Sequence, residues 1–231
     1  MWTIREVKDR GKAAMKANYW TAVLAGFLTA LAFAGTGFIG STRMSTDQYD
    51  QISAETLTNE QAAVIIAALA AALLVVVAVS SVVRVFVANP LLAGCRHFFH
   101  KNLQAPAAAG ELGWGFKNRY GRNVMTYFRQ DLYILLWSML FIVPGIVKSY
   151  SYRFVPYILE DHPEASPSEV ITMSRRMMDG NKMKAFTMDL SFIGWFLLTA
   201  VTFGLAGIFY GIPYHASTDA AMYEAVRAQQ A

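Results

Sequence analysis

The sequence predicts an all-α fold: a polytopic membrane helix bundle of about six helices, arranged as repeated hairpins whose second helices are kinked by proline. Three observations predict it. Long stretches carry no charged side chain. The lysines and arginines gather in segments that alternate with those stretches. One spacing of aspartate, tryptophan and a Pro-Tyr pair occurs twice. Composition agrees, with 55% of the 231 residues hydrophobic and 16% charged, against the roughly 25% charged residues of soluble domains.

The first helix is expected at roughly 20–40, because no charged side chain falls between Lys16 and Arg43. Crossing about 30 Å of hydrocarbon takes roughly 20 residues. Phe33-Ala34-Gly35 is a passable signal-cleavage site, but the charged segment ahead of it is long for a signal, so the span reads as retained. A second helix at 62–94 follows from the charge-free run between Glu60 and Arg84. The second hairpin pairs 124–143 with 146–161 and turns on the outside at Pro144-Gly145. Its charge-free run, Asp131 to Lys148, is marginal in length, and 146–161 is either a helped span or a partly buried, re-entrant segment. The third hairpin pairs 186–203 with 205–227, since between Asp189 and Asp219 only His215 intervenes.

The whole of 1–231 reads as one membrane domain. Its parts are a first hairpin (1–102) with an outer loop at 41–60, a flexible cytoplasmic linker (103–122), a second hairpin (123–163), a cytoplasmic amphipathic helix (164–184) and a third hairpin (185–231). Sixteen of the 20 lysines and arginines lie before the first span, between the second and third, and ahead of Asp189, while loop 41–60 holds Arg43 against Asp47, Asp50, Glu55 and Glu60. Basic segments stay in the cytoplasm, so the N-terminus is expected inside. The net charge of +4 and pI near 9.2 therefore point to anionic lipid headgroups and not to nucleic acid. Cys95 is the only cysteine, so no internal disulfide can form.

Asp131 precedes Trp137 by six residues and Pro156-Tyr157 by 25; Asp189 precedes Trp195 by six and Pro213-Tyr214 by 24. Two anchors at matched offsets read as an internal duplication, with a degenerate first copy from Gly11 through Tyr19-Trp20 to Asn89-Pro90-Leu91. Proline removes a backbone donor and clashes with the carbonyl four residues earlier, so kinks are expected at Pro90, Pro156 and Pro213. One soluble helix is signposted by Ser166-Pro167-Ser168-Glu169, a cap with proline and a returning glutamate, and by Gly180 as its stop. Its apolar residues Val170, Ile171, Met173, Met177 and Met178 are expected against the membrane underside.

NYWTAV at 18–23, FIVPGIVKSYSYRFVPYILEDHP at 141–163, MMDGNK at 177–182, LSFIGWFLL at 190–198 and PYHASTDAAMYE at 213–224 resemble the bacterial integral-membrane family known as domain of unknown function 975. The resemblance covers nearly the whole chain, and departs from the family in the alanine-rich second span and the long linker. It implies a polytopic protein of the bacterial cytoplasmic membrane, and implies neither an activity nor catalytic residues.

Six residues are candidates for a ligand site: Arg153, Asp189, Tyr157, Tyr214, Lys148 and Asp131. Asp131 and Asp189 either open equivalent helices and answer the helix dipole or form an intramembrane carboxylate pair that couples a proton or cation. Arg84, Lys148 and Arg153 are candidates for an anion or headgroup path. Lys148 can extend its stem to the outer interface. Arg153 cannot, and needs a partner such as Asp189 or Glu160. Tyr150, Tyr152, Tyr157, Tyr210 and Tyr214 form either an interface belt or a hydroxyl-lined cleft. His97 and His100 are one turn apart near Cys95, but no third metal ligand is evident. Gly207 and Gly211 permit close helix contact.

No nucleotide loop, nucleophile elbow or zinc-protease pattern occurs, and no cofactor or metal is expected. The reading is a non-enzymatic membrane protein that binds or translocates a small amphiphile, lipid or peptide. Membrane lipids are the expected partners, with a homo-oligomer or an accessory protein as further ones. The alternatives are a structural or accessory subunit of an envelope or export complex, and a membrane-embedded lipid-modifying enzyme in which Asp131, Asp189 and a histidine converge.

Overall fold

The computed structural model describes residues 2–34 and 59–230, so most of the expected outer loop 41–60 lies outside the described residues. Among the described residues the chain is all-α. The basic N-terminal segment, expected only as a flank, is itself a helix, α1 (Ile4–Ala17), capped by Thr3, whose hydroxyl accepts from the Glu6 amide at 3.2 Å. Its apolar stripe of Val7, Gly11 and Met15 is buried. Gly11 sits so close to a later helix that a Cβ there would come within 2.7 Å of the Thr218 amide nitrogen.

Helix α2 (Tyr19–Ala34) buries Ala22, Ala25, Thr29 and Ala32 on one face and exposes Trp20, Leu24, Phe27, Leu31 and Phe33 on the other. Helix α3 (Asn59–Val83) runs through a π-helical turn, Arg84–Ala88, into α4 (Asn89–Lys101). A 3-10 turn (Ala109–Gly113) and a short α5 (Trp114–Lys117) lead to α6 (Tyr120–Leu140). Next come α7 (Ile142–Ser151), α8 (Val155–Asp161), α9 (Pro167–Met177), α10 (Lys182–Leu190) and α11 (Ile193–Val201). A second π-helical turn, Gly207–Gly211, precedes α12 (Ile212–Arg227).

The expected kinks take a definite form. The two π-helical turns end two residues before Pro90 and Pro213, and a turn at 152–154 stands in the same place before Pro156. In each case the carbonyl four residues ahead of the proline loses its helical donor. Phe86 O accepts instead from the Tyr120 hydroxyl at 2.8 Å, and Phe209 O from the Tyr19 hydroxyl at 3.1 Å. Tyr152 O accepts from the Val155 amide at 3.2 Å. The two tyrosines are the first residues of α2 and α6.

Three expectations are corrected. The outer turn of the second hairpin falls at Phe141, whose backbone is extended, and not at Pro144-Gly145. Pro144 lies in the first turn of α7, where a missing amide costs nothing. Gly145 permits close packing, since a Cβ there would meet Ser138 Oγ at 2.1 Å. The segment 103–122 is not a free linker. Leu112 is buried, Trp114 stacks on His97 with centroids 4.8 Å apart, and the Asn102 carboxamide ties the backbone of Ala107 and Ala14 together. Finally, α9 has the expected capping box, but Val170, Ile171, Met177 and Met178 are buried in protein, not laid on a surface.

The packed core lies where α1, α4, α8, α9 and α12 meet, around Phe98, Phe99, Phe154, Tyr157, Ile158, Met222 and Tyr223. The other end is apolar and bare. Residues 64–79 of α3, 135–147 of α6 and α7, and 193–209 around α11 expose most of their large hydrophobic side chains. Two helical stretches, Ala63–Lys101 and Lys182–Val201, are long and apolar enough to cross a membrane, and Tyr19–Phe33 is a shorter apolar helix. Helix α6 has the length of a span but carries Arg122, Arg129 and Asp131. The segment expected at 146–161 is divided between α7 and α8.

Candidate functional site

The break between α7 and α8 positions Arg153, which turns inward in place of continuing either helix. Its guanidinium binds Asp189 in a fork, with Nη1 donating to Oδ2 and Nη2 to Oδ1, both at 2.7 Å. It also reaches Asp219, through Nε at 3.0 Å and a closer Nη2 contact. Asp219, with a side chain 4% exposed, accepts in addition from Arg96 Nη1 at 2.7 Å. Asp189 accepts from the Tyr150 hydroxyl at 2.8 Å and contacts His215 Nε2 at 2.9 Å. One buried and one partly buried carboxylate are thus answered by two guanidinium groups, a hydroxyl and an imidazole, as charges withdrawn from water must be.

A second pair lies at the break before Pro90. Arg84 opens the π-helical turn, and its Nε donates to Asp131 Oδ2 at 3.3 Å. Asn89 Nδ2 donates to the same oxygen at 3.3 Å. Arg84 and Asp131 are 38% and 29% exposed. Between the two pairs is a cavity of about 160 Å³ whose charged lining is Arg84, Arg96, Arg153 and Asp131. Tyr127 and Gln130 line it as well; the Tyr127 hydroxyl and the Gln130 amide oxygen are buried and have no hydrogen-bond partner among the described residues.

The structure therefore joins Arg153 with Asp189, as the charge pattern suggested, and rejects Glu160 as its partner. Glu160 instead lies 3.0 Å from both His97 Nδ1 and His100 Nδ1. The helix-dipole reading of Asp131 and Asp189 fails, since Asp131 is mid-helix in α6 and Asp189 is at the C-terminal end of α10. The two aspartates keep separate partners. Lys148 is apart from the cavity, its ammonium 4.7 Å from the Trp137 ring centroid. The tyrosines do not line one cleft. Tyr157 stacks on Tyr223 at 4.9 Å, and Tyr214 packs against Phe192 at 4.8 Å and Tyr210 at 5.7 Å.

Arg96, His215 and Asp219 were not singled out as one site from sequence, although His215 and Asp219 are one helical turn apart and Asp219 ends the longest charge-free run. Asp189, His215 and Asp219 bring ligand atoms within 4.8 Å of one another, a spacing suited to a metal ion. The cation that bridges these two aspartates is the Arg153 guanidinium. His97 and His100 are engaged by carboxylates: Glu111 at 2.8 Å from His97, and Glu224 at 3.1 Å from His100. In the 103–122 segment, the hydrogen bond from His97 holds the Glu111 carboxyl below its ordinary range.

No curated protein and no solved structure matches the chain at a significant level. The family described as protein of unknown function (DUF975) matches residues 52–230, which take in every element from α3 to α12 and both arginine–aspartate groups. The chain belongs to the DUF975 family.

Proposed function

We propose that this protein is a non-enzymatic, multi-pass membrane protein that binds a small amphiphile, its polar end in the arginine-lined cavity and its apolar end against the bare helix surface. One observation carries the reading: the cavity has charged and unpartnered polar groups, yet its Arg84–Asp131 edge is bordered by exposed Val82, Val83, Phe86, Val87, Leu132 and Leu135. Polar groups beside such a surface suit a ligand with one polar and one apolar end. An apolar groove of about 540 Å³ between the same two segments, lined by Val82, Val85, Phe86, Val124 and Phe128, has the character an acyl chain requires.

The membrane arrangement is supported by the bare apolar end together with the alternation of basic segments, a pattern that favours a cytoplasmic N-terminus and a cytoplasmic 164–184. Repeated hairpins fit the proline breaks at matched places, and broken helices often build ligand sites in membranes. Impermeant maleimide labelling of intact bacterial cells tests the topology, because native Cys95 is buried. Ser45→Cys is expected to label from outside and Asp179→Cys only after lysis. Labelling of both from one side would overturn the arrangement.

The accessory-subunit reading is favoured by the extent of bare apolar surface, which a partner's helices would cover equally well. Native mass spectrometry of the protein released from detergent separates the two. Co-purified lipid that is lost in Asp131→Asn supports amphiphile binding. A protein partner retained in that variant, with no lipid in either form, supports the subunit.

A further inference from the structure

The donors and acceptors on the cavity wall are sorted in a way that specifies a head group. Arg153 is spent on Asp189 and Asp219. Arg84 makes a single 3.3 Å bond through Nε, which leaves both Nη groups without a bond among the described residues. Arg96 commits Nη1 to Asp219, out of the five N–H donors a guanidinium offers. The Tyr127 hydroxyl has no partner among the described residues. The side chains that carry these donors line one cavity, and a pair of arginines with N–H groups to spare is the usual complement of phosphate oxygens. Beside them stand two acceptors, the Asp131 carboxylate and the unpartnered Gln130 amide oxygen. A bare phosphate would leave the Gln130 oxygen without a donor, which is unfavourable for a buried acceptor, and would set its own charge beside the Asp131 carboxylate, whose Oδ2 already accepts from Arg84 and Asn89.

We propose that the cavity takes the headgroup of a phospholipid that carries its own hydrogen-bond donor, an ammonium or hydroxyl group. The phosphate lies on Arg84, Arg96 and Tyr127, and the donor on Asp131 and Gln130. About 160 Å³ is well above the 10–15 Å³ needed for one water, and it accommodates a small head and not a sugar chain. A quaternary ammonium head satisfies the phosphate half and fails the donor half. This inference rests on the amphiphile reading above and names the chemistry of its polar end.

The test is calorimetric titration of the full chain, purified in a neutral maltoside detergent, with single-chain lipids of one chain length. Lysophosphatidylethanolamine and lysophosphatidylglycerol are expected to bind about tenfold more tightly than lysophosphatidylcholine or monoacylglycerol, the gain expected from one charge-assisted hydrogen bond. Inorganic phosphate alone is expected to show no binding in the same range. Arg84→Gln is expected to weaken the two favoured lipids about tenfold and Tyr127→Phe about threefold. The tyrosine hydroxyl has no partner to lose, so Tyr127→Phe keeps the fold and remains informative if Arg84→Gln does not express.

Choline and ethanolamine heads bound equally would overturn the donor assignment. Monoacylglycerol bound as tightly as the phospholipids, with Arg84→Gln neutral, would overturn the phosphate and leave amphiphile binding standing. Inorganic phosphate bound as tightly as any lipid would overturn the lipid, and with it the amphiphile reading.

Discussion

Arg153 and Arg84 occupy comparable places, each in a helix break shortly before a proline, and they are held in opposite ways. Arg153 is 11% exposed and locked by two carboxylates. Arg84 is 38% exposed and makes one long bond. The first is structure: its charge is consumed inside the protein. The second has hydrogen-bonding capacity left over at the edge of a cavity, as a ligand site requires. Similar local sequence, a cation ahead of a proline in an apolar run, thus serves two ends, and the number of partners distinguishes them.

The largest expected effect is at Arg153. Replacing it by alanine leaves Asp189 and Asp219 facing each other with Arg96 and His215 as their remaining basic neighbours. Breaking a buried ion pair from one side destabilises by about 3–5 kcal/mol. The variant should be lost from monodisperse fractions in detergent size-exclusion chromatography. Arg153→Lys should not restore it, because an ammonium cannot reproduce the fork. A well-folded Arg153→Ala protein would break the contrast with Arg84.

Next is the packing of the 103–122 segment. A Cβ at Gly94 would lie 1.9 Å from the Leu112 carbonyl oxygen, and one at Gly115 1.9 Å from the Pro90 carbonyl oxygen. Gly94→Ala is expected to cost about 1–3 kcal/mol by overpacking and to make the segment a protease target; unchanged proteolysis would mean that it is loosely held. Smaller again is Tyr120→Phe, which withdraws the donor from Phe86 O. About 1 kcal/mol is expected, read as a lowered unfolding midpoint, and Tyr19→Phe should match it at Phe209 O.

What sequence made legible was what local chemistry decides. Within the described residues the charge-free runs are mostly helical because apolar stretches with few breakers have little alternative, and Ser166 and Glu169 form their capping box because both partners are within one turn. The Arg153–Asp189 pair was readable because a charge stranded in an apolar run must find its opposite. Long-range geometry was not legible. Asp219 and Arg96 look like ordinary span ends until α4 and α12 come together. The glycines at 94 and 115 look like punctuation, although their role is close approach to backbone atoms far along the chain. The stripe on α9 announced that it would be covered, and not by what. Pro144-Gly145 misled because proline is as acceptable in the first turn of a helix as in a loop.

The smallest expected effect on the fold decides the contrast. Arg84→Gln removes a partly exposed cation with one 3.3 Å bond, and such pairs contribute less than about 1 kcal/mol. Asp131 keeps the Asn89 carboxamide as a partner and stays partly open to the surroundings, so the remaining carboxylate is not stranded as Asp219 would be. The unfolding midpoint of the empty protein in neutral detergent should therefore lie close to wild type, while the stabilisation produced by added lysophosphatidylglycerol falls by most of its value. Ligand that binds only the folded form raises the midpoint in proportion to the logarithm of its concentration over Kd, so the two readouts separate in one experiment. A midpoint lowered as far as in Arg153→Lys would make Arg84 a second structural lock, and the cavity a by-product of packing.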